Sequence, residues 1–215
     1  MHFENVIILY PILLFSIIIH EVAHGWMAER FGDDTARVMG RLTFNPIPHI
    51  DIVGTVILPI LGLLYPGGFL FGWAKPVPVN PYRLNDPKRD MMWVGLAGPA
   101  SNIILALFAA AFMWALRNYN FLPQTIGSAV YTLASVLLQL NVVLFIFNLF
   151  PVPPLDGSRI VAAILPPPLA YRYAQLEQYG FIIVLVLFAT GVMSMILGPV
   201  VMFFVNLLTG VNAGI

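Results

Sequence analysis

Two histidines and a glutamate lie close together in the run His20-Glu21-Val22-Ala23-His24. On a helix, side chains four residues apart project from one face, so both imidazoles can reach one Zn²⁺. Glu21 lies beside them, where it can take a proton from a water molecule that the metal activates. The spacing therefore predicts a metal site for peptide hydrolysis, with His20 and His24 as ligands and Glu21 as general base.

This run lies inside an almost unbroken apolar stretch from Val6 to Trp26. An ionisable side chain at the centre of a bilayer costs roughly 2.5–3.5 kcal/mol on insertion scales, so it is seldom found there without a function. The alternative is a buried polar cluster that holds helices together. The stretch has no basic segment before it and no small-residue cleavage pattern after it, so we expect a retained helix rather than a signal peptide.

The composition is that of a membrane protein. Of the 215 residues, 60% are hydrophobic and 9% charged, and the mean hydropathy is +0.88, which predicts an all-α polytopic membrane protein in contact with the lipid bilayer. Ten basic residues balance ten acidic ones, so nucleic acid is not an expected partner. The chain has no cysteine, and its metal ligands must therefore be His, Asp or Glu.

Hydropathy divides the chain into spans within one integral membrane domain, residues 1–215. The last apolar block contains Gly191 and Gly198-Pro199, and it could be one kinked helix or two helices. Residues 52–71 are also apolar, but prolines and glycines, including Pro66-Gly67-Gly68, leave no uninterrupted helix of about 20 residues. The predicted spans cover about residues 5–30, 92–116, 125–150 and 180–208.

The charges indicate how these segments cross the membrane. If residues 52–71 dip into the bilayer and return, every basic residue except Arg117 lies on one face, as the positive-inside rule expects. We therefore predict a re-entrant segment and an outside amino terminus. The site would lie roughly 9–15 Å from Arg30, close to the cytosol. Residues 38–44 alternate loosely enough to suggest a short β element at that surface.

Two histidines do not complete a catalytic zinc site, which usually has three protein ligands. Asp156 is the acidic residue next to another span, at the end of the run NLFPVPPLDG, residues 148–157. The prolines of this run stop the preceding helix and leave irregular backbone at membrane depth, which is tolerated where it lines a cavity. The alternative is that Asp156 caps a helix that begins at Ser158.

Three motifs together resemble the site-2 protease family of intramembrane zinc metalloproteases. They are HEVAH at residues 20–24, GPASN at 98–102 and NLFPVPPLDG at 148–157, and their order and membrane placement match. The run GWAKPVPVNP, residues 72–81, is similar to a loop of the compact prokaryotic branch. The resemblance covers about residues 5–175, and no segment resembles the PDZ or CBS domains of larger members.

The resemblance implies a three-helix catalytic core followed by one or two carboxyl-terminal helices. It implies one zinc ion per chain on His20, His24 and Asp156, with Glu21 as general base and Asn148 near the scissile bond. The expected substrates are single-span membrane proteins. The expected location is a prokaryotic cell (inner) membrane, with the site near the cytosolic side.

A second hypothesis comes from a different class of function. A transporter or channel could use His20, Glu21, His24 and Asp156 as a proton or ion relay, and it would need no stoichiometric zinc. Among the remaining polar residues, His49 is expected to be an ordinary surface histidine rather than a fourth ligand. Asn102 is expected to hydrogen-bond to a neighbouring helix, and the small residues from Gly98 to Ser101 are expected to let helices pack closely.

Overall fold

The computed structural model describes residues 3–64, 72–119 and 122–210. Within these ranges the chain is helical and contains no β-strand, which confirms the all-α prediction. Ile52–Ile57 forms a π-helical turn, and Ile47–His49 and Pro81–Arg83 form 3₁₀ turns. The α-helices are α1 (Phe3–Arg30), α2 (Thr35–Val38), α3 (Leu58–Leu64), α4 (Pro87–Tyr119), α5 (Gln124–Asn148), α6 (Asp156–Ile164), α7 (Pro167–Ala174), α8 (Glu177–Ala189) and α9 (Val192–Thr209).

Helices α1, α4 and α5 form the centre of the molecule, with α6 packed on α4 and α9 packed on α5. Between α4 and α5 the core is built from small and medium apolar side chains, among them Ala106, Ala109 and Leu138. Four helical stretches in the described ranges are long and apolar enough to cross a membrane. They are Ile8–Arg30, Pro87–Tyr119, Gln124–Asn148 and Val192–Thr209.

The carboxyl-terminal apolar block consists of two helices. Helix α8 ends at Ala189 and α9 begins at Val192. Gly191 between them has φ +75°, a left-handed conformation that glycine adopts without the steric cost of a Cβ atom. Of the two alternatives that the sequence left open, the structure has the broken pair.

Helix α4 begins at Pro87, before the apolar span that the sequence predicts from residue 92. Asp86 caps this polar first turn, because its carboxylate accepts a hydrogen bond from the Arg89 backbone N–H at 3.2 Å. Asp90 completes the cap by accepting from the Asp86 N–H at 2.8 Å. Capping satisfies backbone donors that the helix leaves open, so the helix extends past its apolar part.

The suggested β element over residues 38–44 is wrong. The helical turn Thr35–Val38 occupies the start of this segment, and Gly40 has φ +65°, which interrupts an extended backbone. Instead of pairing through a backbone ladder, the segment attaches through Arg41, whose Nη2 donates to the carbonyl oxygens of Lys75 at 2.7 Å and Pro76 at 3.2 Å.

The chain before and after the undescribed residues 65–71 is joined by backbone hydrogen bonds. The Trp73 N–H donates to the Gly54 carbonyl at 3.2 Å, and the Lys75 N–H donates to the His49 carbonyl at 2.8 Å. Residues 65–71, which include Pro66-Gly67-Gly68, lie outside the described residues. The return of this segment to the same membrane face stays a prediction.

Thiol labelling can test the predicted topology, because the natural chain has no cysteine. We expect single cysteines at the exposed positions Val38, Asn85 and Tyr171 to be protected from a membrane-impermeant reagent in intact cells. A cysteine at Asn118 should be labelled. If the cysteine at Asn85 is labelled as well as the one at Asn118, residues 52–71 cross the membrane completely and the re-entrant prediction is wrong.

Candidate metal centre

His20 and His24 from α1 meet Asp156 from α6 at a buried point between the helices. The two Nε2 atoms are 3.0 Å apart, and Asp156 Oδ2 lies 3.0 Å from His20 Nε2 and 3.1 Å from His24 Nε2. Each of the three residues is at most 6% exposed. The structure thus brings together the three residues that the sequence predicts as ligands.

The donor set fits zinc. Zinc binds histidine nitrogen and carboxylate oxygen at about 2.0–2.2 Å, and in a tetrahedron two such ligand atoms lie roughly 3.3 Å apart. The three observed separations are close to this value. Two imidazoles and one carboxylate are the protein ligands of one common type of catalytic zinc site, in which water or substrate takes the fourth position.

Hydrogen bonds orient both imidazole rings toward this point. His24 Nδ1 lies 2.6 Å from the Val94 carbonyl oxygen, which can only accept, so Nδ1 carries the proton and Nε2 presents its lone pair. His20 Nδ1 lies 2.6 Å from Asn102 Oδ1. Such partners on the far nitrogen are the usual support of metal-binding histidines.

Asp156 lies in the first turn of α6 and does not cap the helix with its side chain. Its Oδ2 faces the histidines, whereas Oδ1 lies 3.6 Å from Arg159 Nη1. The helix-cap alternative is therefore wrong, and the geometry is that of a ligand. Gly157 permits this placement, because a Cβ there would overlap the backbone of Leu149 and Phe150.

Gly98 provides the space in which the two imidazoles meet. A Cβ at this position would come within 2.6 Å of His20 Nε2, and it would also overlap His24 Nε2. The expected close helix packing at Gly98 is confirmed, and here it is the packing of α4 against the candidate ligands themselves.

We expect Gly98→Ala to weaken zinc binding by at least about tenfold, because the added methyl group occupies the meeting point of the ligand atoms. Zinc content after equilibration in a competing chelator measures the effect. Gly198→Ala is the matched control, since its Cβ would meet nothing within 4 Å. Normal zinc binding by Gly98→Ala would show that the ligands do not meet at this glycine.

The segment of residues 72–80 holds Glu21 through a backbone hydrogen bond. The Val77 backbone N–H donates to Glu21 Oε2 at 2.7 Å. Asp33, which is fully buried, anchors the end of the segment by accepting from the Asn80 N–H at 2.6 Å, and Arg41 holds its middle. The sequence did not predict this contact, although Pro76 and Pro78 leave Val77 as the one backbone donor between them.

A cavity of about 320 Å³ opens beside the metal centre. His20, Glu21 and Asn148 contribute its polar lining, and Asn148 Nδ2 donates to the Leu144 carbonyl of its own helix at 2.9 Å. Most of the remaining lining is apolar. It comes from Ile17 of α1, Leu144 and Phe147 of α5, Phe181 and Val184 of α8, Pro154 and Leu155 of the proline-rich run, and Gly72, Trp73 and Ala74 of the returning segment.

His49 is not the surface residue that the sequence suggested. It is fully buried, and its Nε2 donates to the Thr43 carbonyl at 2.9 Å. Burial is the main reason that the pKa of His49 is below its usual value, which leaves the ring neutral near pH 7. Among the described residues, the candidate metal group consists of His20, His24 and Asp156 without His49.

Comparison with known proteins links this site to a family. A family model for peptidase family M50 matches residues 8–188, which include every residue of the candidate site. No solved structure gives a significant match.

Similar curated proteins carry related names. A Bacillus subtilis protein, provisionally named zinc metalloprotease YwhC, is 42% identical over 188 residues, which are 87% of this chain and 82% of that protein. Rip2 of Mycolicibacterium smegmatis, named in the same provisional way, is 30% identical, and the match covers 84% of this chain and 66% of Rip2. Zinc metalloprotease MJ0392 of Methanocaldococcus jannaschii is 25% identical, and the match covers 87% of this chain and 44% of that protein.

Proposed function

The chain belongs to peptidase family M50, the site-2 protease type of metalloprotease, and from this membership we propose that it is an intramembrane zinc endopeptidase. It hydrolyses peptide bonds within or near the transmembrane segments of single-span membrane proteins. The observation that carries the proposal is the convergence of His20, His24 and Asp156 beside Glu21, at one end of an apolar cavity between helices.

The residues His20, His24 and Asp156 would hold a metal ion that acts as a Lewis acid. One zinc ion per chain, held by His20, His24 and Asp156, would lower the pKa of a water molecule toward about 7 and polarise the scissile carbonyl. The carboxylate of Asp156 would offset one of the two positive charges of the ion, so a bound zinc would remain a Lewis acid.

Glu21 moves the proton. Its carboxylate accepts a proton from the attacking water and donates it to the leaving amide nitrogen, which departs as an amine. The Val77 N–H holds Oε2 at 2.7 Å, so the carboxylate faces the cavity in one orientation. Proton transfer requires the Glu21 carboxylate and the attacking water to be within hydrogen-bond reach. The hydrogen bond from Val77 helps to keep the carboxylate in the orientation that this transfer needs.

The lining of the cavity fits a membrane substrate. Apolar side chains surround the polar group of His20, Glu21 and Asn148, as expected for a site that receives an unwound segment of a transmembrane helix. Unwinding is necessary because a helical peptide bond is shielded and hydrogen-bonded. The amide of Asn148 offers both a donor and an acceptor to the substrate backbone so exposed.

The charge distribution supports a proposal for the cellular placement. The positive-inside rule places Arg30, at the end of α1, on the cytosolic side, and the two histidine ligands lie within three turns of it on the same helix. We propose that the protein lies in a prokaryotic cell membrane and that its site opens toward the cytosolic side.

Removal and return of the metal tests the proposed function. We expect the purified protein in lipid vesicles to cleave single-span membrane proteins, to lose this activity after dialysis against a zinc chelator, and to regain it with one equivalent of Zn²⁺. A cleavage rate that the chelator does not change would contradict a zinc mechanism.

Asn148→Ala separates substrate positioning from metal binding. We expect cleavage to fall roughly 10²-fold, the usual effect of removing one polar group that contacts the reacting peptide, with zinc content unchanged. Gln139→Ala, an exposed residue of the same helix, should leave the rate unchanged. A wild-type rate in Asn148→Ala would remove Asn148 from the catalytic site.

A further inference from the structure

A continuous line of buried polar side chains runs from His20 into the helical core. His20 Nδ1 lies 2.6 Å from Asn102 Oδ1, Asn102 Nδ2 donates to Asn141 Oδ1 at 2.9 Å, and Asn141 Nδ2 donates to Ser16 Oγ at 2.8 Å. Ser16, Asn102 and Asn141 are each 0% exposed. The line joins α1, α4 and α5, and it begins and ends on α1.

Two backbone carbonyls fix the direction of this line at its far end. The Ser16 hydroxyl donates to the Ile12 carbonyl, and Asn141 Nδ2 donates to the Leu137 carbonyl, both at 2.8 Å. A carbonyl oxygen can only accept a hydrogen bond. The Asn141 amide must therefore direct its nitrogen toward Leu137 and Ser16, which directs its oxygen toward Asn102.

The orientation of Asn141 then decides that of Asn102. Asn102 faces an acceptor oxygen on Asn141, so it must direct its Nδ2 there and present its own Oδ1 to His20. Facing an acceptor, His20 must carry its proton on Nδ1, and its Nε2 then has a free lone pair. If the Asn102 amide were turned over, Nδ1 of His20 would accept instead, and the proton would lie on Nε2, where it blocks a metal.

We propose that Asn102, Asn141 and Ser16 are positioning residues that orient His20 for zinc. The proposal rests on the proposed function, because it assigns a role toward the same metal site. His24 needs no such line, since the Val94 carbonyl fixes its ring directly. A backbone carbonyl therefore orients His24, whereas side chains orient His20. Of these two histidines, only His20 depends on side chains distant from the site.

A purely structural role predicts a different result. Asparagine and serine side chains between membrane helices also hold helices together, and their loss would then lower stability without changing the zinc affinity of the folded protein. An orienting role predicts weaker zinc binding in protein that is still folded, because partners of metal-bound histidines typically change metal affinity by about 10- to 100-fold.

The decisive variant is Asn141→Leu. Asn141 hydrogen-bonds to Asn102, Ser16 and the Leu137 carbonyl rather than to a candidate ligand, and its loss frees the Asn102 amide to turn. Its dissociation constant for Zn²⁺ alone, measured by chelator competition, is compared with that of the wild type and of Gln139→Leu. Gln139 is a polar residue of the same helix that lies outside the line. Thermal unfolding of the zinc-free proteins shows whether each variant is folded, and the visible spectrum of the Co²⁺-loaded protein reports the ligand geometry.

We expect Asn141→Leu to bind Zn²⁺ about 10- to 100-fold more weakly and to alter the Co²⁺ spectrum, while Gln139→Leu matches the wild type. Ser16→Ala, a smaller change, should weaken binding roughly 2- to 10-fold, and it decides the question if Asn141→Leu does not fold. Wild-type zinc affinity in the folded variants would overturn the positioning role and leave the metal site intact. A wild-type protein that binds no zinc would instead overturn the proposed function.

Discussion

Glu21→Gln should abolish cleavage while the protein keeps its zinc. Glutamine preserves the shape of the side chain and can still accept the Val77 N–H through its carbonyl oxygen, but it cannot take a proton from water at neutral pH. General acid–base groups contribute roughly 10²- to 10⁴-fold to rates, and Glu21 serves both the attack of water and the departure of the amine. We therefore expect a loss at or beyond the upper end of that range.

The measurement is the initial rate of substrate cleavage at equal zinc content. Glu29→Gln is the matched control, because Glu29 lies on the same helix but pairs with Arg37 at the exposed end. It should cleave at the wild-type rate. If Glu21→Gln also cleaves near that rate, Glu21 is not the general base, and the proposed mechanism fails in this form.

His20→Ala, His24→Ala and Asp156→Ala should each lose bound zinc. Every one of these side chains contributes an atom to the cluster whose members lie within 4.8 Å of one another, and the site has no spare protein ligand in the described part of the chain. A site left with two protein ligands binds zinc too weakly to retain it through purification. We expect the histidine variants to be empty and Asp156→Ala to be strongly depleted.

Elemental analysis of the purified variants gives zinc per chain directly. His49→Gln is the control for the loss of a histidine elsewhere, and it should retain one zinc because His49 lies outside the cluster. Full occupancy in Asp156→Ala would remove Asp156 from the set of ligands. Zinc loss in His49→Gln with the fold intact would bring His49 back as a fourth ligand.

The candidate metal ligands could be picked out from the sequence because local rules point to them. His20 and His24 share a helix face through their spacing alone, and Asp156 follows prolines that must end a helix. The contact between Glu21 and Val77 was not predictable, because it depends on how the segment of residues 72–80 returns across the molecule. The same holds for Ser16 and Asn141, which are 125 residues apart in the chain.

The wrong predictions also have a physical origin. Residues 38–44 alternate like a strand, but no neighbouring strand is available in the described structure, and Gly40 turns the backbone. His49 was expected at the surface because it lies beside Pro48 and Asp51 at a predicted membrane interface. In the structure it is fully buried, and its backbone carbonyl accepts a hydrogen bond from the Lys75 N–H. At His49 tertiary contacts overrode the local pattern, whereas at residues 38–44 the backbone turn at Gly40 interrupted it.

Mass analysis of the products tests the central claim most directly. A single-span membrane protein is incubated in lipid vesicles with the zinc-loaded wild-type protein, and the masses of both fragments are measured. The proposed mechanism predicts new termini within or next to the transmembrane segment, with fragment masses that together exceed the intact substrate by one water. Intact substrates after incubation with fully zinc-loaded protein, or termini confined to regions distant from the membrane, would contradict it.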